Sequence, residues 1–124
     1  MTQQKQRVAV VGASAKPERY SNRAVRMLAE HGHEVIPIHP AASTIEGLPV
    51  VNDVADLGGS IDTVTLYVAA ETSSKLADPL LELRPGRVIF NPGAENPELQ
   101  QKLEAEGIPT EEACTLVLLS TGQF

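Results

Sequence analysis

The residues best placed to do chemistry lie in the turn Gly12-Ala13-Ser14-Ala15-Lys16-Pro17, which follows the apolar run Arg7–Val11. A β-branched run bounded by glycine predicts a buried parallel strand that ends in a tight turn. If a helix follows, its first backbone N–H groups lack intrahelical partners and its dipole favours an anion. We therefore predict an anion site at this turn; the alternative is a purely structural turn with a helix-capping serine.

The charges of the chain are distributed in a way that suits an anion near this turn. Residues 1–40 carry six basic and three acidic side chains, whereas the other residues carry four basic and thirteen acidic ones. The net charge of −6 argues against nucleic acid, because binding of a phosphate backbone needs an excess of Lys and Arg on one face. We expect a small-molecule ligand and no nucleic-acid partner, although some of these charges serve only to solvate the surface.

Other reactive side chains form no recognisable catalytic or metal-binding pattern. His31, His33 and His39 have no metal-ligand spacing with Cys114 or with paired acids. No Ser-His-Asp order and no paired carboxylates fall on neighbouring strand ends. We predict no catalytic residues and no metal site.

Strand and helix patterns alternate along the chain. We predict strands at Arg7–Val11, Glu34–Ile38, 62–69 and 87–91 and from Ile108, and helices at 21–31, 71–83 and 97–106. Residues 47–51 are predicted as a short strand or extended connector, and residues 53–57 as one helical turn. The alternation predicts a single α/β, Rossmann-type, three-layer domain over residues 1–124, with a mostly parallel sheet of about five strands.

The bulk properties predict a protein of the cytoplasm. The chain of 124 residues has no apolar stretch near the roughly 18 residues of a membrane span and no apolar segment near its polar N-terminus, so we expect no membrane partner and no export. A single cysteine, Cys114, makes no intrachain disulfide and indicates a reducing compartment. The apolar run 115–119 is predicted either to fill the core or to form a subunit contact. Because of the second alternative, we predict a homodimer.

Two places in the sequence predict which class of nucleotide the domain binds. The first turn has one glycine where the dinucleotide fingerprint G-x-G-x-x-G has three. The second strand ends in Ile38-His39-Pro40, without the carboxylate that holds the ribose 2′-hydroxyl of NAD. Because such an acid would repel a ribose phosphate, whereas His39 would tolerate one, coenzyme A fits better than NAD.

Several segments together resemble a known family, the stand-alone CoA-binding domains related to the CoA-binding domain of the succinyl-CoA synthetase alpha subunit. They cover nearly the whole chain and occur in the family's order and spacing. They are Val8-Ala9-Val10-Val11-Gly12-Ala13-Ser14, Arg19-Tyr20-Ser21-Asn22, Gly32-His33-Glu34-Val35-Ile36-Pro37-Ile38-His39-Pro40, Ile45-Glu46-Gly47 and Asn91-Pro92-Gly93.

The resemblance implies a set of cofactor-binding residues for coenzyme A. Backbone N–H groups of Gly12, Ala13 and Ser14 would approach the pyrophosphate, with the Ser14 hydroxyl as a further donor. The polar neighbours of the phosphates would be Lys16, Arg19 and Asn22. The adenosine would be bordered by Pro40, Val68, Ala69 and Thr72. The channel toward the pantetheine would be shaped by Asn91, Pro92 and Gly93.

The function implied is binding of coenzyme A or an acyl-CoA by a module without catalysis of its own, because the synthetase's phosphorylated-histidine domain and partner subunit have no counterpart here. A small NAD(P)-linked or acyl-transfer enzyme is one alternative, and an interaction protein that has lost its ligand is another. Cys114 is either a buried small hydrophobe or a thiol that faces that of coenzyme A and forms a mixed disulfide with it. Arg23 and Arg26 are predicted to be solvated rather than to contact a phosphate, and Arg26 is excluded from the site.

Overall fold

A βαβ unit occupies the first forty residues of the chain. The structure is a computed structural model that describes residues 4–124; residues 1–3, in the polar stretch before the first strand, lie outside the description. Strand β1 spans Arg7–Val11, helix α1 spans Tyr20–Glu30 and strand β2 spans Glu34–Ile38. The helix buries Val25 and Leu28 against the sheet.

The chain continues the alternation of strands and helices to its end. The further strands are β3 (Thr44–Ile45), β4 (Leu48–Pro49), β5 (Thr63–Leu66), β6 (Arg87–Phe90) and β7 (Thr110–Glu112). The further helices are α2 (Ala70–Ser73), α3 (Ala77–Leu83), α4 (Pro97–Ala105) and α5 (Thr115–Ser120). Short 3₁₀ turns occupy Val54–Asp56 and Ser74–Leu76.

The main sheet has five parallel strands in the order β2-β1-β5-β6-β7, and β3 and β4 form a separate antiparallel hairpin. Val51 makes an isolated parallel bridge to Ile38 on the outer side of β2. Its N–H donates to the carbonyl oxygen of Pro37, a residue that itself has no N–H to donate along this edge. The Rossmann-type α/β fold and the parallel sheet predicted from the sequence are confirmed.

Helices cover both faces of this sheet, so the domain has three layers. Along β1, Val8 and Val10 join a cluster with Val25, Leu28 and Leu119 from α1 and α5. The alternate β1 residues, 9 and 11, join a second cluster with leucines of α3 and α4. Because successive side chains of a strand point to opposite faces, one apolar strand supplies both cores.

The helix predicted over residues 71–83 is interrupted. A continuous helix would place Pro79 in its interior, where the ring clashes with the carbonyl group of Lys75 and removes a hydrogen bond. The 3₁₀ turn Ser74–Leu76 breaks the helix, so that Pro79 lies in the first turn of α3, where proline is tolerated.

Residues 115–120 form a helix, α5, which the sequence prediction missed. Leu119 is buried in the core beside α1, as one of the two predicted roles for this run requires. Val117 on the same helix is 54% exposed, and the predicted homodimer stays a prediction.

Candidate functional site

A crevice of about 520 Å³ opens at the carboxyl edge of the sheet. Its walls come from the segments that follow β1, β2, β5 and β6 and from the start of α1. The strand order reverses between β1 and β5, and doubly wound sheets bind ligands at such a switch point. The volume lies in the usual range for a small-molecule site.

Gly12 brings the end of β1 close to the end of β5. Its φ is +85°, and a Cβ atom there would lie 2.8 Å from Val68 Cγ1 and 3.1 Å from the Tyr67 carbonyl oxygen. Both the backbone conformation and the close approach require glycine. This requirement is structural and holds whether or not a ligand binds.

The N–H groups of the first turn are only partly available to a ligand. The Ala13 N–H, which was expected to approach the pyrophosphate, donates to the Ile38 carbonyl oxygen at 3.2 Å and so already has a partner within the protein. The Ser14 Oγ accepts a hydrogen bond from the Lys16 N–H at 3.1 Å, which leaves the Ser14 hydroxyl hydrogen free to donate. Among Gly12, Ala13 and Ser14, only Ser14 therefore has a side chain that can donate a hydrogen bond to an anion.

The N-terminus of α1 opens into the crevice without a cap. Arg19 occupies the N-cap position but makes no side-chain hydrogen bond to the helix, and the first turn contains no acidic residue. Tyr20 and Ser21 line the crevice at this point, and exposed Lys16 and Arg19 form its basic wall. Uncapped N–H groups beside two cations provide an electrostatic environment that favours an anion.

His39 lies in the crevice wall where β2 ends. Its Nδ1 accepts hydrogen bonds from the N–H groups of Ala41 at 3.1 Å and Ala42 at 2.9 Å. Because Nδ1 is the acceptor, the neutral imidazole carries its hydrogen on Nε2. The ring thus offers one N–H donor at the position where a NAD-binding domain places a carboxylate.

Tyr67 lines the crevice from the end of β5, with its hydroxyl group turned into the protein. The hydroxyl oxygen is buried and has no hydrogen-bond partner among residues 4–124. Burial raises the pKa of Tyr67 to about 12, and the neighbouring Thr115 and Thr65 hydroxyls offset this only in part. Half-buried Cys114 precedes α5 and does not line the crevice.

The structure brings most of the predicted site residues together. Nine of them line the crevice: Gly12, Ala13, Ser14, Lys16, Arg19, Val68, Ala69, Pro92 and Gly93. They come from three separate parts of the chain, which only the parallel sheet places side by side. Their role toward a ligand stays a prediction.

Four predicted residues do not line the crevice. Pro40 is exposed beyond His39, and Thr72 is exposed on α2. Asn22 is fully buried behind the first turn, where its amide group has protein partners. Its face was identifiable from the sequence, because Asn22 lies three residues before the buried Val25 on α1.

Asn91 is the fourth of these residues, and both polar atoms of its side chain are hydrogen-bonded within the protein. Its Nδ2 donates to Thr65 Oγ1 at 2.6 Å and to the Leu66 carbonyl oxygen at 2.9 Å. Its Oδ1 accepts from the Thr115 N–H at 2.9 Å, at the start of α5. Asn91 ties two strand ends to the last helix and leaves no polar atom free for a ligand.

The predicted site residues did not include five that line the crevice: Tyr20, Ser21, His39, Tyr67 and Ala94. Of these, His39 had been expected only to tolerate a ribose phosphate. Tyr20 and Ser21 could have been found from the predicted start of α1, and His39 from its place at the end of β2. Tyr67 and Ala94 follow β5 and β6, and only the observed strand ends show that they reach the crevice.

Arg26 is exposed and does not line the crevice, as predicted, but it also has partners within the protein. Its Nε donates to Asn22 Oδ1 at 2.8 Å, and its Nη2 donates to the Pro17 carbonyl oxygen at 2.9 Å. The side chain is exposed, but it fastens the turn before α1 to the helix itself.

The described residues also bear on two further features, a metal site and a membrane-spanning helix. Within residues 4–124, no group of three or more His, Cys, Asp or Glu side chains is arranged to hold a metal ion. None of the helices in this part of the chain has the length and apolar character needed to cross a membrane.

The fold and the crevice define the class: a parallel, Rossmann-like α/β domain with a ligand crevice at its switch point. The model of the CoA binding domain family matches residues 6–120, and the chain belongs to this family. Membership associates the chain with coenzyme A, and the family resemblance predicted from the sequence is confirmed.

Similar proteins support this membership. An uncharacterized protein of Bacillus subtilis (strain 168), YneT, is 30% identical over 105 residues, which are 85% of this chain and 78% of that protein. A crystal structure of another uncharacterized protein is 38% identical, covers 98% of this chain and 100% of its own, and has a TM-score of 0.92. The dinucleotide-forming acetyl-coenzyme A synthetase 1 of Ca. Korarchaeum cryptofilum shares the fold with a TM-score of 0.75 at 23% identity, over 87% of this chain and 25% of its own.

Proposed function

We propose that the crevice binds coenzyme A or an acyl-CoA, and that the chain is a binding or regulatory module without catalysis of its own. The observation that carries the proposal is the charge of the wall. Lys16 and Arg19 line the crevice, and none of the chain's 16 acidic residues, all of which fall within residues 4–124, does so. In a chain of net charge −6, this wall selects an anionic ligand.

The diphosphate is proposed to lie at the N-terminus of α1. Ser14 offers a hydroxyl donor there, and the first N–H groups of the helix have no capping side chain. Lys16 and Arg19 add charge without competing ion pairs from residues 4–124. A ligand with two adjacent phosphates uses all of these features.

The two ends of the ligand follow from this position. The ribose is proposed to lie near His39, whose Nε2–H can donate to the 3′-phosphate of coenzyme A. Val68 and Ala69 offer an apolar surface for the adenosine, and Pro92 and Gly93 border the path of the pantetheine.

Calorimetric titration of the full chain with coenzyme A, 3′-dephospho-CoA, NAD and NADP tests the proposal. We expect coenzyme A to bind most tightly, with 3′-dephospho-CoA weaker because it lacks the phosphate opposite His39. Preferential binding of NAD or NADP would favour a small nicotinamide-linked enzyme. If none of the four ligands produced a heat change, the proposal would be overturned. An interaction protein that has lost its ligand would then be the remaining alternative.

A further inference from the structure

One fully buried side chain joins the first turn of the crevice to the β3–β4 hairpin. Asn22 Nδ2 donates to the Ser14 carbonyl oxygen at 2.8 Å and to Glu46 Oε2 at 3.0 Å. Asn22 Oδ1 accepts from Arg26, which also donates to the Pro17 carbonyl oxygen. The network therefore holds the turn before α1 at two of its carbonyl groups.

Glu46 takes part in this network from an unfavourable backbone conformation. Its φ is +52°, followed by +74° at Gly47, so both residues of the hairpin turn have positive φ. Glycine or asparagine adopts such a turn at lower cost than glutamate does. The feature that distinguishes glutamate here is its carboxylate, which reaches Asn22.

The two hydrogens of the Asn22 amide need two acceptors. With Glu46 present, one hydrogen points to Glu46 and the other to the Ser14 carbonyl oxygen. Without that carboxylate, a buried donor loses its partner, and rotation of the amide toward another acceptor would release Ser14. The conformation of Ser14 therefore depends on a residue of the hairpin.

We infer that Glu46 is a positioning residue for the proposed ligand site: through Asn22 it fixes the Ser14 carbonyl group, and with it the turn that receives the diphosphate. The inference rests on the proposed function for its effect on coenzyme A. Its structural part, the order of the first turn, is independent of any ligand.

Three variants test it by calorimetry with coenzyme A and by thermal denaturation. Glu46→Gly removes the acceptor and relieves the positive φ, so we expect Kd to rise about fivefold with no fall in Tm. Glu46→Gln keeps an oxygen acceptor and should restore most of the affinity. Arg84→Gly is the matched control: Arg84 has φ +49° and donates to the Glu106 carbonyl oxygen, away from the crevice, so its Kd should stay unchanged.

Hydrogen exchange of the Lys16 amide, measured without ligand, separates this inference from the proposed function. This N–H donates to Ser14 Oγ, and we expect faster exchange in Glu46→Gly than in Glu46→Gln. If the wild-type chain binds no coenzyme A, the proposed function fails and the exchange rates still decide the positioning role. Equal Kd and equal exchange in the wild-type chain and in all three variants would overturn the role of Glu46.

Discussion

Two arginines at the amino edge of the central sheet and two cations at its carboxyl edge differ in their surroundings. At the amino edge, Arg7 pairs with Glu34 at 2.9 Å and donates to two backbone carbonyl oxygens. Arg87 pairs with Glu111 at 3.0 Å and also donates to a threonine hydroxyl and a carbonyl oxygen. The protein itself supplies the partners of these cations.

At the carboxyl edge, Lys16 and Arg19 form no ion pair with any of the residues 4–124. They stand beside the uncapped start of α1 instead. The comparison teaches that a cation indicates a ligand site only where its own chain does not satisfy it. It predicts that replacing the paired arginines of the amino edge lowers stability, whereas changing the charge beside the unpaired cations of the carboxyl edge lowers affinity.

The largest effect is expected for Gly12→Ala, because this glycine holds the carboxyl edge together. The new Cβ would meet Val68 Cγ1 at 2.8 Å in a backbone with φ +85°, so we expect the free energy of unfolding to fall by about 2–4 kcal/mol. Gly32→Ala is the control, since Gly32 has φ +86° but no atom within 4 Å of a Cβ. Urea denaturation should show a larger loss of unfolding free energy for Gly12→Ala than for Gly32→Ala. Equal losses would mean that the close approach of Gly12 to Val68 does not contribute.

The fold could be predicted from the sequence because four strands of the central sheet, β1, β2, β5 and β6, are short runs rich in apolar residues. The first βαβ unit is confirmed almost residue by residue. Helix α5 was missed because residues 116–119 are all apolar and show no helical periodicity, and because Cys114 provides no capping side chain. Its start is held by Asn91, a residue 24 positions away, and such a long-range hydrogen bond leaves no local signal.

The candidate site was predictable where it follows directly from a strand end and less so elsewhere. The crevice residues between Gly12 and Arg19 follow the end of β1, and the turn in the sequence was enough to predict them. Asn22 and Asn91 have the polar character of ligand residues, but their amides bond to neighbouring strands and turns. Sequence shows the chemical type of a side chain, whereas tertiary packing decides whether it faces the crevice or the interior.

A negative charge at the carboxyl edge should have the next largest effect. Ser14→Asp places a carboxylate beside the proposed diphosphate, and we expect Kd for coenzyme A to rise more than about tenfold. Ser60→Asp adds the same charge at the amino edge, where the Ser60 carbonyl oxygen contacts Arg7. Titration of both variants should show a loss only for Ser14→Asp. Unchanged affinity in Ser14→Asp would move the site away from the first turn.

Two arginine substitutions test the comparison directly. Arg19→Gln should raise Kd for coenzyme A about fivefold and make binding less dependent on salt, with Tm unchanged. Arg7→Gln should lower the free energy of unfolding by about 1–2 kcal/mol, because it leaves Glu34 and two carbonyl groups without their donor, and should not change Kd. The reverse pattern in calorimetry and denaturation would contradict the division between the edges.

The smallest effect is expected at His39, where a single donor faces the proposed ribose phosphate. In His39→Asn, Oδ1 replaces Nδ1 as the acceptor for the N–H groups of Ala41 and Ala42, so the turn is kept and only the distal donor is lost. We expect Kd for coenzyme A to rise about threefold and Kd for 3′-dephospho-CoA to stay constant, since the lost hydrogen bond belongs to the phosphate. Calorimetry with both ligands measures the ratio. An equal change for both ligands would place the 3′-phosphate elsewhere in the crevice and leave the basic wall of Lys16 and Arg19 as its binding partner.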